Sequence, residues 1–146
     1  LPGYEAKYDE IIAEDVDEVY CLSVNDSFVM NAWFADQGIV NVKPIADGNG
    51  DFSRHMGMLV EKSKVCFGLR SQRYSMVVDN GFVENIFCED GKEDNFAGDP
   101  FDVSDADTML EYLQNVKELR REEIARFEEE QAQAEAEQEV EQDNEE

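Results

Sequence analysis

Two arginines stand close together in a chain whose formal net charge is −24. Arg70 and Arg73 lie in the stretch FGLRSQRYSMVV, and Arg73 directly precedes an apolar run. A charge in such a place costs free energy unless it is paired. The residues alone leave two interpretations open, a salt bridge to one of the many carboxylates or a fixed cation that stabilises an anion in a pocket.

The cysteines are the candidate nucleophiles. Cys21, Cys66 and Cys88 are odd in number, widely spaced and without a C-x-x-C pair. This pattern argues against a disulfide framework and a zinc site, and it fits reduced thiols in a cytoplasmic protein. Cys21 lies in an apolar run, where a thiol usually packs as a small hydrophobe. For Cys66 and Cys88 a role as redox partner is the less common alternative.

Two other polar features lack the neighbours that a catalytic or metal site requires. His55 is the only histidine, and no nucleophile or orienting acid is marked beside it as a catalytic triad requires. The stretch DGNGDF (47–52) begins like a calcium loop, but Phe52 replaces the glycine of the sharp turn and Met58 replaces the bidentate glutamate. We interpret it as a turn that caps a helix.

The charge distribution excludes some partners. Residues 118–146 contribute −10 and the remaining residues −14, so both parts repel phosphate. We therefore expect binding neither to nucleic acid nor to a membrane. No apolar run approaches the length of a membrane span.

The elements that must position these residues alternate in type. Tyr4, Tyr8, Ile11 and Ile12 have helical spacing. A strand is predicted at 18–24, then a helix capped by Asn25 or Asp26 and ended by Gly38, with Phe28, Trp33 and Phe34 in the core. A strand at 40–47 and a short helix at 51–62 follow.

The second half predicts a hairpin and a long helix. Strands at 73–78 and 82–88 flank the tight turn DNG. After a polar loop at 89–100, a helix begins with Ser104 or Asp105 as its cap. Strand–helix–strand units that lead into a hairpin predict an α/β fold, a thioredoxin-like mixed sheet flanked by helices and without its opening strand.

Four stretches carry a resemblance to a known family. CLSVNDSFVMNAW (21–33), RYSMVVDNG (73–81), GDPFDVSDADTMLEYL (98–113) and the opening LPGYEAKYDE resemble the atypical peroxiredoxins, which are thiol peroxidases of the thioredoxin-like redoxin superfamily. Within that family the chain is most similar to the bacterial glutathione- or glutaredoxin-dependent group. The resemblance covers residues 1–117 and implies a partial redoxin domain there. The acidic composition of 118–146 predicts a helical extension that is frayed or disordered at its end.

The resemblance also implies the chemistry. Members carry a Pro-x-x-x-Thr-x-x-Cys motif at the start of their first long helix, which places the peroxidatic cysteine about five residues before Leu1. We therefore expect the chain to be N-terminally truncated and inactive alone. By motif match Arg73 is the catalytic guanidinium, and Phe67 is a candidate for lining the substrate pocket.

Partners follow from the same resemblance. The substrates are hydrogen peroxide and alkyl hydroperoxides, no cofactor is bound, and an external thiol, from glutathione with glutaredoxin or from thioredoxin, recycles the enzyme in a one-cysteine cycle. The family often forms homodimers, but the acidic tail opposes close association, so the sequence leaves the oligomeric state open between a monomer and a homodimer. Two alternatives stay open, a non-catalytic interaction module with an acidic arm and a structural domain without a ligand.

Overall fold

The computed structural model describes the backbone of residues 1–144 and the side chains of residues 1–134. The chain divides into two compact units, residues 1–110 and residues 111–146. In chain order the elements are α1 (Pro2–Ala6), α2 (Tyr8–Ile12), β1 (Tyr20–Ser23), α3 (Ser27–Asp36), β2 (Lys43–Ala46), α4 (Asp51–His55), β3 (Leu59–Glu61), a short 3₁₀ turn (Ser63–Val65), β4 (Leu69–Ser71), β5 (Tyr74–Asp79), β6 (Phe82–Cys88) and α5 (Ala106–Asn144).

The strands pair as three small sheets. β1 and β2 are parallel, with α3 as the connection between them. The pairs β3–β4 and β5–β6 are antiparallel, and the predicted tight turn joins the last two through Asn80 and Gly81, both at positive φ. The predicted mixed α/β class is therefore confirmed, although the strands form separate pairs rather than one sheet.

Helix α3 builds the local core. The Asp26 side chain accepts a hydrogen bond from the Val29 amide at 2.9 Å, as its predicted role as a cap requires. Met30 and Phe34 pack with Val42 in a buried cluster. The core prediction was wrong for Phe28 and Trp33, because these side chains are 83% and 38% exposed. Helical spacing located the helix but not the full width of its buried face.

Two predicted helices differ from the observed ones. The first is interrupted at Lys7, which separates α1 from α2. The helix predicted at 51–62 ends at His55, since Gly57 adopts a positive φ and the Met58 amide donates to the Ser53 carbonyl. The residues that follow form β3 instead, with Val60 buried.

The long helix α5 begins as predicted. The Asp105 carboxylate accepts from the amides of Asp107 and Thr108 at 2.9 and 3.0 Å and caps the helix. The helix reaches Asn144, residues 145 and 146 lie outside those described, and the predicted fraying of the chain end stays a prediction. In the described part of the chain, no helix has the length and apolar character needed to cross a membrane.

Candidate functional site

A group of polar and aromatic contacts surrounds the guanidinium of Arg73. Arg73 lies immediately before β5, and its carbonyl accepts from the Glu89 amide at 3.1 Å. One terminal guanidinium nitrogen donates to the Pro100 carbonyl at 2.8 Å, and the other lies 2.9 Å from an Asp99 carboxylate oxygen. The Phe101 ring centroid is 5.4 Å from the guanidinium carbon, within the range of a cation–π contact.

Of the two interpretations of Arg73, the salt bridge is observed and the anion-stabilising role stays a prediction. The salt bridge exists, but the Asp99 side chain is 85% exposed and the Arg73 side chain 44%. An exposed ion pair contributes little to stability, about 0–1 kcal/mol. The guanidinium is thus held in a defined orientation while it stays accessible, which is the arrangement that anion stabilisation requires.

The first helix reaches the same place. Burial lowers the pKa of the Leu1 amino group, and the nearby Arg73 cation lowers this pKa further, whereas Cys21 raises it. Leu1 and Cys21 both pack against the buried cluster beside α3. The Tyr4 hydroxyl donates to the carbonyls of Ser104 and Asp105, at 3.0 and 3.2 Å, and so connects α1 to the segment before α5.

The segment at 99–105 is fastened by a buried carboxylate. Glu89 is 3% exposed and follows the last residue of β6. Its carboxylate accepts from the backbone amides of residues 102, 103 and 104 at 2.8–3.0 Å. It also accepts from the Ser104 hydroxyl at 2.7 Å. We call this arrangement the Glu89 clasp.

A buried glutamine extends the clasp. The Gln72 side chain is 8% exposed, and its amide donates to the carbonyls of Glu89 and Asp90 at 2.9 and 3.3 Å. Sequence reasoning identified Arg73 but missed Gln72, Glu89 and Phe101. The available signal was weak, because one glutamate among 36 acidic residues carries no mark of burial.

The other predicted site residue lies in a turn. Phe67 is 60% exposed between the 3₁₀ turn and β4, and its role as a pocket residue stays a prediction. The aromatic ring against the guanidinium is Phe101.

All three cysteines are free thiols. Burial raises the pKa of Cys21, and the Leu1 amino group offsets this only in part. A raised pKa disfavours the thiolate that a nucleophile needs. Cys66 is exposed, and the Cys88 sulfur lies 3.5 Å from the Glu89 carbonyl oxygen.

The stretch at 47–52 forms a capping turn. The Asp47 carboxylate accepts from the amides of Phe52 and Ser53 at 3.1 and 2.9 Å, and from the Ser53 hydroxyl at 2.8 Å. His55 is exposed with a ring nitrogen 2.7 Å from the Asp51 carbonyl oxygen. In the described residues, no group of three or more His, Cys, Asp or Glu side chains is arranged to hold a metal ion.

Comparison with known proteins gives consistent matches. The family model described as Redoxin matches residues 1–110. A peroxiredoxin of Rhizobium etli is 53% identical over 113 residues, which cover 77% of this chain and 63% of the relative. The chain thus spans less than two thirds of that protein.

Solved structures give the same result. The antioxidant protein of Plasmodium falciparum, described as a 1-Cys peroxiredoxin, has a TM-score of 0.76 at 39% identity and covers 79% of this chain and 67% of its own. A reduced peroxiredoxin of Vibrio vulnificus in complex with hydrogen peroxide has a TM-score of 0.69 at 38% identity, covering 77% and 65%. The thioredoxin-like fold predicted from the sequence is confirmed by these neighbours.

Proposed function

The chain belongs to the redoxin family, as its resemblance to the peroxiredoxins predicted, and we propose that the protein containing it is a thiol-dependent peroxidase. The substrates are hydrogen peroxide and alkyl hydroperoxides. Arg73 supplies the cation that stabilises the reacting anions. The nucleophile is a cysteine that precedes Leu1 in the full-length protein.

One observation carries this proposal, the position of α1 beside the loop that holds Arg73. The Tyr4 hydroxyl of α1 donates to the carbonyls of Ser104 and Asp105, and residues 99–101 of the same segment contact the Arg73 guanidinium. A cysteine a few residues ahead of Leu1 would therefore be within reach of the guanidinium. A nearby cation lowers the pKa of a thiol and favours the reactive thiolate.

The chemistry then proceeds by nucleophilic displacement. The thiolate sulfur attacks one peroxide oxygen, an S–O bond forms as the O–O bond breaks, and the other oxygen leaves as hydroxide or alkoxide and takes up a proton. Sulfur is oxidised to the sulfenic acid while the peroxide is reduced. Negative charge moves from sulfur to the leaving oxygen, and a preorganised guanidinium stabilises it along this path.

An external thiol completes the cycle in our proposal. A first thiol attacks the sulfenic sulfur, releases water and forms a mixed disulfide, and a second thiol frees the thiolate. Cys21 is a poor resolving thiol because burial raises its pKa. This supports glutathione with glutaredoxin, or thioredoxin, as the reductant, and steady-state assays with each system distinguish them.

The decisive experiment uses the full-length protein. Arg73→Ala should lower kcat/KM for hydrogen peroxide about 10²–10³-fold, because it removes a group that stabilises the thiolate and the transition state. Circular dichroism and thermal unfolding check that the fold persists.

Arg70→Ala is the matched control for Arg73→Ala. Arg70 lies three residues earlier, and its guanidinium donates to its own neighbour's carbonyl, that of Leu69, at 2.7 Å. The control should retain kcat/KM within about twofold. Equal activity of the two variants, or no peroxidase activity in the wild-type protein, would refute the proposed function.

A further inference from the structure

The contacts around Arg73 form a closed ring. The Arg73 backbone carbonyl accepts from the Glu89 amide, and the Glu89 carboxylate accepts from residues 102–104. Three residues just before these, at 99–101, contact the guanidinium. Glu89 thus contacts the Arg73 backbone directly and contacts its side chain indirectly, through the loop that follows residue 98.

The loop residues that donate hydrogen bonds to Glu89 directly follow the residues that contact the guanidinium. Phe101 lies against the guanidinium, and the amide of the next residue, Asp102, donates to both Glu89 carboxylate oxygens at 3.0 Å. The residue bound by Glu89 and the residue that contacts the guanidinium are therefore consecutive in the chain. A displacement of the loop at Asp102 moves Phe101 and Pro100 with it, because successive Cα atoms are about 3.8 Å apart and the peptide unit is rigid.

The carboxylate keeps its charge across the neutral range. Burial raises the pKa of Glu89, but the hydrogen bonds from Ser104 and from the amides of Asp102 and Val103 outweigh this and bring it to about 2. As a charged acceptor it forms stronger hydrogen bonds than a neutral amide does. The loop is therefore held by the strongest type of acceptor that a side chain offers.

We infer that Glu89 is a positioning residue for catalysis, which fixes the loop at 99–104 so that the Arg73 guanidinium points at the reacting thiolate. The inference rests on the proposed peroxidase function. Glu89 itself does not touch the reacting atoms. Its contribution is transmitted through the loop contacts of the guanidinium.

The test is Glu89→Gln in the full-length protein. The glutamine has nearly the same shape, but its amino group faces backbone N–H donors that need an acceptor. We expect kcat/KM for hydrogen peroxide to fall about 10–100-fold, the size of effect that a misplacement of about 1 Å produces. The pKa of the peroxidatic thiol should rise by about one pH unit, since the cation beside it is displaced.

The thiol pKa separates positioning from simple loss of stability. It is read from the pH dependence of alkylation of the peptide that contains the peroxidatic cysteine, followed by mass spectrometry. The matched control is Asp47→Asn, because Asp47 is also a buried carboxylate with amide and serine hydroxyl donors. This control should weaken the fold while the thiol pKa stays within about 0.2 pH units of wild type.

A milder variant covers the case in which Glu89→Gln does not fold. Ser104→Ala removes the 2.7 Å hydroxyl donor and leaves the carboxylate in place. It should move kcat/KM and the thiol pKa in the same direction by a smaller amount, about two- to fivefold in kcat/KM. Its matched control is Ser53→Ala, which removes the hydroxyl that donates to the Asp47 carboxylate.

A double-substitution cycle tests whether Glu89 affects catalysis through Arg73. In an Arg73→Ala background, Glu89→Gln should produce no further loss of kcat/KM, because the group that it positions is already absent. A full additional loss would overturn the inference. So would a folded Glu89→Gln or Ser104→Ala protein with the wild-type thiol pKa. If Arg73→Ala itself retains activity, the proposed function is wrong, and the positioning role of Glu89 falls with it.

Discussion

Two buried carboxylates, those of Asp47 and Glu89, do similar local work in different surroundings. Both are under 10% exposed, and both accept from consecutive backbone amides and from a serine hydroxyl. Asp47 fastens the start of α4 five and six residues further along the chain. Glu89 instead fastens a loop 13–15 residues away that contacts Arg73.

The hydrogen bonds of a residue therefore do not by themselves define its role. The two carboxylates have comparable donors and a lowered pKa, with burial outweighed by hydrogen bonds in each. What separates them is the next contact along the chain. The loop held by the Glu89 clasp includes residues that contact the Arg73 guanidinium, whereas the hydrogen bonds of Asp47 fix only the start of the short helix α4.

The largest expected difference between each carboxylate and its amide variant is in how stability changes as the pH falls. The pKa of Glu89 is lowered in the folded state from 4.5 to about 2, so its stabilisation is complete above pH 4.5 and is lost as the pH falls towards 2. The free-energy difference between wild type and Glu89→Gln should shrink by roughly 3 kcal/mol at most across that window. Urea unfolding of the full-length protein at a series of pH values measures it.

The Asp47→Asn variant should show the same direction of pH dependence, because the pKa of Asp47 is also lowered. A free-energy difference for Glu89→Gln that does not change on acidification would contradict the charged clasp.

The next effect compares the two serines. Ser53→Ala and Ser104→Ala each remove one hydrogen bond to a buried carboxylate, at 2.8 and 2.7 Å. Each should lower the free energy of unfolding by about 1 kcal/mol, measured by urea unfolding. Only Ser104→Ala should also slow peroxide reduction. Equal activity of the two variants would remove the distinction between the clasps.

The smallest effect concerns the exposed acid beside Arg73. Asp99→Asn should change the free energy of unfolding by less than about 0.5 kcal/mol, because the pair is exposed. It should lower the pKa of the peroxidatic thiol slightly, since Asp99 no longer offsets the charge of the guanidinium. Alkylation rates across pH detect the change.

A second exposed pair provides the control for Asp99→Asn. Asp51 lies 2.9 Å from Arg54, and Asp51→Asn should match the stability change without altering the thiol. A higher thiol pKa in Asp99→Asn would show that Asp99 orients the guanidinium rather than competing for it.

The local elements were largely predictable because their signals lie within a few residues. The cap at Asp26, the Asn80–Gly81 turn and the cap at Asp105 each act on neighbours in the sequence. The helix predicted past His55 failed because a glycine at positive φ competed with helical spacing. The prediction that Phe28 lies in the core was wrong because helical spacing does not show how much of a helix surface the neighbouring elements cover.

The family and the α/β class follow from sequence patterns, and the motif around Arg73 predicts a role for this arginine. The folded chain brings Glu89 and Phe101 to it. These contacts join residues 16 and 28 positions apart, and no periodicity or capping rule acts over such separations. Burial by the whole fold turns one ordinary glutamate into a clasp, because it removes water and leaves backbone amides as the donors.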